Sequence, residues 1–177
     1  MKTIAYIGTS LDGFIARKDG EIDWLIHFDD QEINQSYSEF IKDIDAIVIG
    51  RGTYEKVLTF PTWFYQQKVF VLSSQIKQIP ESLKEKVTVL SMQPKELLLH
   101  LSNKGYSKIY LDGGKVIQSF LNEDLLDELI ITRVPVLIGN GISLFGWLDR
   151  DISFKHIETY IFSNGLVKSH YQKHKNN

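Results

Sequence analysis

Four short runs of apolar, largely β-branched residues dominate this chain: Asp45–Gly50 (DAIVIG), Lys68–Ser73 (KVFVLS), Lys86–Leu90 (KVTVL) and Lys108–Leu111 (KIYL). Each opens on a charged residue, has little polar alternation through its middle, and stops at a small or polar turn residue. A strand without a polar face has to be covered on both sides, and a sheet covered on both sides needs helices above and below it. Such sheets are mainly parallel, because the helices that cover them are also the crossovers between their strands.

The intervening sequence supplies those helices. In Gln31–Lys42 the residues Ile33, Tyr37, Phe40 and Ile41 fall on one helical stripe, with Asp29 or Asp30 placed to cap the first turn. Pro94 suits the start of a helix whose Leu97, Leu98 and Leu101 face inward, and Gly105 suits its end. A third helix is predicted from near Gly114, carrying Val116, Ile117, Phe120 and Leu121. Ahead of these, Thr3–Thr9 alternates like a strand and runs into the turn Ser10-Leu11-Asp12-Gly13.

The last third changes character. Glu128–Ile138 is an extended run interrupted by Pro135, and Phe154–Tyr171 reads as two alternating segments joined at Asn164-Gly165. That dipeptide tolerates the positive φ a type I′ hairpin turn demands. The expectation is a three-layer αβα fold: a mixed, mainly parallel central sheet with an antiparallel C-terminal hairpin, in one domain spanning 1–177.

Composition narrows the partners. With 20 basic against 22 acidic residues the formal charge is -2, which gives no general drive toward nucleic acid or anionic membrane. No cysteine is present, so disulfides, thiolate metal sites and cysteine nucleophiles are excluded, and the five histidines form no metal-ligating spacing. Met1-Lys2-Thr3 leads straight into the first strand without an apolar signal core, which points to the cytoplasm.

Chemistry is concentrated at strand ends. Gly50-Arg51-Gly52-Thr53 follows one strand and opens a helix, where backbone N–H groups and Arg51 can converge on a phosphate; equally, the glycines can merely permit a turn that Thr53 caps. Asp112-Gly113-Gly114 repeats the arrangement: glycines let a ligand lie against the main chain, with Asp112 read as a turn residue. Ser73 and Ser74 add hydroxyls at a third strand end, the edge at which open α/β sheets bind ligands.

Taken in order, the segments TSLDGFIARKDG (9–20), IGRGTYE (49–55), VLSS (71–74), YLDGGKVIQSFL (110–121), LLDELIITRVPVLIGNGISLF (125–145) and FSNGLVKSHY (162–171) resemble the dihydrofolate reductase-like superfamily. Within it the chain is similar to stand-alone relatives of the C-terminal reductase domain of the bacterial riboflavin-biosynthesis deaminase/reductase. The resemblance implies NADPH bound in an extended pose. It places Gly50, Arg51, Thr53, Ser73 and Ser74 around the adenosine and diphosphate, including the 2′-phosphate, and Gly113 and Gly114 beside the diphosphate. It puts Ser10 and Gly13 near the nicotinamide ribose, and nominates Asp29, following Trp24, and Asp12 as catalytic carboxylates. The implied reaction is hydride transfer to a small heterocyclic, pyrimidine- or pterin-like metabolite, 5-amino-6-(5-phosphoribosylamino)uracil among them, in a homodimer. A non-catalytic nucleotide-binding or interaction protein on the same scaffold is the alternative.

Overall fold

A computed structural model describes residues 1–28 and 30–174. Ten strands and five α-helices occur among them: β1 (Lys2–Ser10), β2 (Phe14–Ala16), α1 (Asp23–Ile26), α2 (Gln31–Lys42), β3 (Ala46–Gly50), α3 (Arg51–Val57), β4 (Lys68–Leu72), β5 (Val87–Leu90), α4 (Pro94–Asn103), β6 (Lys108–Asp112), α5 (Gly114–Asn122), β7 (Glu128–Val134), β8 (Ile142–Ser143), β9 (Phe154–Ile161) and β10 (Val167–Lys173). Eight strands form one sheet in the order β5-β4-β3-β6-β1-β7-β10-β9. The six from β5 to β7 run parallel; β10 lies antiparallel to β7, and β9 antiparallel to β10. The mixed, mainly parallel sheet and the terminal hairpin are as the sequence pattern predicts.

The four apolar runs become β3, β4, β5 and β6, and alternate residues serve opposite faces. Ile47, Ile49, Val69 and Val71 pack toward α2 and α3, with Tyr54, Val57 and Tyr65. Ala46, Val48, Phe70, Ile109 and Leu111 pack toward α4 and α5, with Leu97, Leu101, Ile117 and Phe120. Each such fully buried aliphatic or aromatic side chain contributes about 1.5–3 kcal/mol. Two layers of core on one sheet explain why these runs carry no polar face.

Helix ends follow the predicted chemistry. Asp30 caps α2 by accepting the Ile33 N–H at 2.9 Å. At α4, Pro94 occupies the first turn while Glu96 reaches back to accept the Gln93 N–H at 3.1 Å. Asp29 lies outside the described residues.

The C-terminal turn differs from expectation. Only Gly165 takes positive φ, at 87°; Asn164 does not. Phe162 N–H donates to Leu166 O and Gly165 N–H to Phe162 O, so the loop holds three residues and ends on a left-handed glycine. Asn164 Nδ2 is instead drawn to Phe28 O at 2.8 Å and Asp30 Oδ2 at 2.7 Å, tying the hairpin to the start of α2. The run from Glu128 likewise stops at Val134, before Pro135. Leu129, Ile131 and Val134 are buried between β1 and β10, so burial within the sheet accounts for that half of the apolar stretch. No helix among the described residues is long and apolar enough to cross a membrane.

Candidate functional site

Parallel strands end on the same side, so the turns after β5, β4, β3, β6 and β1 line one edge of the sheet in that order. Along it lie Ser91–Gln93, Ser73-Ser74, Gly50–Thr53, Asp112–Gly114 and Ser10–Gly13. The two glycine turns meet, because β3 and β6 are direct neighbours. Gly113 sits at φ 95°, and a Cβ built on it would collide with Thr53 Oγ1. Gly114 is closed in as well: its Cβ would come within 2.9 Å of Ile15 Cδ1 and 3.3 Å of Ser143 O. The glycines therefore bring main chain from two strand ends together beneath the β2–β8 strap. α3 is only seven residues long, whereas α5 runs for nine and opens directly at the glycine pair.

Beside these turns, at the ends of β4 and β5, opens a cleft of about 360 Å³ lined by Leu72, Ser73, Ser74, Leu90, Ser91, Met92, Gln93 and Glu96. The lining is mostly polar, with the Ser73, Ser74 and Ser91 hydroxyls, the Gln93 amide and the Glu96 carboxylate around the smaller apolar surface of Leu72, Leu90 and Met92. Ser73 and Ser74 stand where the sequence places them, and Ser73 Oγ also accepts the Gln75 and Ile76 N–H groups, which fixes its orientation. Arg51 leans along its own helix, Nη1 lying 3.2 Å from Glu55 Oε1, with both side chains about half exposed.

At the other end of the edge, the Ser10 side chain turns inward. Its Oγ donates to Asp12 Oδ1 at 2.5 Å and accepts the Phe14 N–H at 3.0 Å. Asp12 accepts from Ile138 N–H at 3.3 Å and Gly139 N–H at 2.7 Å, holding the β1–β2 turn against the loop after β7. The Ser10 hydroxyl, followed by these backbone bonds, keeps its carboxyl below the usual range. Gly13, at φ 82°, accepts the Leu144 N–H through its carbonyl at 3.0 Å. This end is a clamp between loops.

A carboxylate that the sequence assigns to a turn is more distinctive. Asp112 ends β6 on the face of Tyr6, Tyr37, Tyr65 and Tyr110, directly before the glycine pair. Buried Tyr65 donates to its Oδ2 at 2.6 Å. Tyr110, beside it, donates to the Tyr6 carbonyl at 2.9 Å. Burial pushes the Asp112 carboxyl up, partly offset by Tyr65, Tyr110 and the Gly113 N–H; burial and the nearby Asp112 charge push Tyr65 and Tyr110 up in turn. A carboxylate at a strand end among phenols contributed by three other segments has no local sequence signal, and only the packing of β1, α2 and the segment before β4 around β6 assembles it.

A doubly covered, mainly parallel α/β sheet with glycine turns and a cleft along its carboxyl edge has its candidate site where open α/β sheets bind ligands. The chain belongs to the RibD C-terminal domain family, whose model matches residues 61–168. It is 38% identical to the uncharacterized protein YwjB of Bacillus subtilis over 96% of this chain and 97% of that one. A Shewanella sp. PV-4 structure described as a riboflavin biosynthesis protein superposes with a TM-score of 0.93 at 37% identity, covering 99% of this chain and all of the other. The fold alone is shared with two more distant structures. One is a Thermotoga maritima diaminohydroxyphosphoribosylaminopyrimidine deaminase/5-amino-6-(5-phosphoribosylamino)uracil reductase (TM-score 0.77, 17% identity), of which 97% of this chain spans 56%. The other is the Enterococcus faecalis dihydrofolate reductase complexed with NADP(H) (TM-score 0.71, 16% identity, 98% of this chain and 97% of that one).

Proposed function

We propose that this chain is an NADPH-dependent reductase of a small pyrimidine- or pterin-like metabolite. The observation that carries the reading is the contact of Gly113 with Thr53 at one sheet edge, with the Ser73–Gln93 cleft immediately beside it. From the middle of that cleft to β1 is three and a half strand spacings, about 17 Å, room for an extended dinucleotide. Leu72, Leu90 and Met92 would hold the adenine, the Gly113-Gly114 main chain the diphosphate, and the end of the edge near β1 the nicotinamide. A structure of the same fold complexed with NADP(H) supports the choice of cofactor.

A reduced nicotinamide, when bound, supplies hydride, and the reduced substrate also needs a proton. Asp12 is committed to the Ser10, Ile138 and Gly139 bonds, so we place proton donation on Asp112, whose carboxyl burial pushes up and whose Oδ2 the Tyr65 hydroxyl holds in orientation at the strand end. The 5-phosphoribosylamino-uracil named for the Thermotoga relative is the first substrate to try.

The test is thermal shift with NADPH and NADH, followed by loss of nicotinamide absorbance across a panel of carbonyl, pterin and ribosylaminopyrimidine compounds. A rise in Tm with NADPH is expected, and Asp112→Asn should retain cofactor binding while turnover falls about 100-fold or more. No shift at millimolar NADPH would end the reductase reading. Binding without oxidation of any panel member would reassign the chain to nucleotide binding alone.

A further inference from the structure

Of the phenols around Asp112, all but one have their hydroxyls engaged. Tyr65 donates to Asp112 Oδ2 at 2.6 Å, Tyr110 donates to the Tyr6 carbonyl at 2.9 Å, and the Tyr6 hydroxyl shares a 3.2 Å bond with Ser36 Oγ. The Tyr37 hydroxyl has no hydrogen-bond partner among the described residues. Its ring is nevertheless fixed, with its centroid 5.8 Å from that of Tyr6, 6.3 Å from Phe40 and 6.5 Å from Tyr110.

The direction of α2 aims this side chain. The helix descends from the carboxyl edge, where Asn164 holds Asp30, to the opposite edge, where Gln67 donates to the Ile41 carbonyl at 2.9 Å. Helical side chains lean toward the N-terminus of their helix, so Tyr37 leans toward the end of β6. Asp112 is close enough there for its charge to act on the phenol, and burial together with that charge raises the hydroxyl's hold on its proton, which makes it a donor at neutral pH. Tyr54 lacks a partner too, but its hydroxyl is sealed from solvent; Tyr37 is half-buried and its hydroxyl is not sealed.

We infer that Tyr37 is the substrate-facing donor of this site, its hydroxyl reading a ring carbonyl of an oxopyrimidine seated beside Asp112. The inference rests on the reductase reading above and deepens it. Tyr37 transfers no proton: it holds the ring by a neutral hydrogen bond, and proton delivery stays with Asp112.

The experiment is calorimetric titration of the full chain, saturated with NADP+, with 5,6-diaminouracil and with 2,4,5,6-tetraaminopyrimidine, whose amino groups replace both ring carbonyls. Tyr37→Phe keeps the ring contacts and removes the hydroxyl. It should weaken 5,6-diaminouracil about five- to tenfold, leave the tetraamino compound within about twofold, and leave NADP+ affinity unchanged. Its Tm should not fall, since no bond within the fold is lost. An unchanged affinity for 5,6-diaminouracil overturns the inference, as does an equal loss for both probes, and a lowered Tm with unchanged affinities assigns the hydroxyl to the fold instead. If NADP+ binds and neither probe does, the inference fails and the cofactor reading stands. Failure of NADP+ itself to bind or to raise the Tm removes both together.

Discussion

Asp112 and Gly113 are consecutive residues with different physical duties. The folded-state affinity of Asp112 for its proton is raised, so the native state holds protons that the unfolded chain has already released. Its contribution to stability is therefore complete below the unfolded carboxylate range, near pH 4, and is lost as pH rises toward the folded value. Asp112→Asn keeps the acceptor for Tyr65 but removes the ionisation. Its Tm should exceed the wild type's at pH 7, by a few degrees, with the gap closing below about pH 4, as read by scanning calorimetry. A gap that widens on acidification would mean that the carboxylate is stabilised in the fold. At Gly113 two penalties are separable. Gly113→Ala adds left-handed strain of about 1–2 kcal/mol and the collision with Thr53 Oγ1. Combining it with Thr53→Ala should recover the collision and leave the strain, which urea unfolding of the four members of a double-mutant cycle would measure.

Elements differ in how much of the sheet they hold. α5 packs Ile117 and Phe120, both fully buried, against β3 and β6, so Ile117→Ala should cost about 2–5 kcal/mol in urea unfolding. The β9–β10 hairpin is held differently. Most of β9 is exposed, Ile161 by 70%; the hairpin is anchored where Phe162 and Leu166 are buried with Trp24 and Val134, and polar contacts add to this: Asn164 to Phe28 and Asp30, and Tyr160 and Ser163 to Glu32 on α2. Asn164→Ala removes two of these bonds and should cost about 1–2 kcal/mol. The loss should appear as faster amide exchange in β9 and the first turn of α2, with β3 and β6 unaffected. Uniform acceleration through the sheet would show that the hairpin is part of the central cooperative unit.

For the molecule as a whole, ligand linkage sets the scale of the cofactor experiment. Bound as proposed, NADPH at a hundredfold excess over its Kd should stabilise the fold by about 2.7 kcal/mol, several degrees in Tm for a chain of this size. Much of the fold behind that expectation is legible in the chain itself. The apolar runs at β3, β4 and β6 announce covered strands, and Asp30, Pro94 and Gly105 mark helix boundaries, because hydrophobic period and capping are local properties. The glycine turns and Ser73-Ser74 are legible for the same reason: a strand end followed by small residues is a short-range pattern. The turn at Asn164-Gly165 was half legible, since position and hairpin follow from the dipeptide while the turn type followed from where the Asn164 side chain found partners. Asp112 could not be singled out from the sequence. Its surroundings depend on phenols from β1, α2 and the segment before β4, which only the tertiary structure brings to the end of β6. The sequence by itself determined the strands, helices and glycine turns, whose free energies are set by neighbours within a few residues. The tertiary structure decided which turns share an edge and which carboxyl meets the tyrosines, because burial and charge depend on groups far apart along the chain.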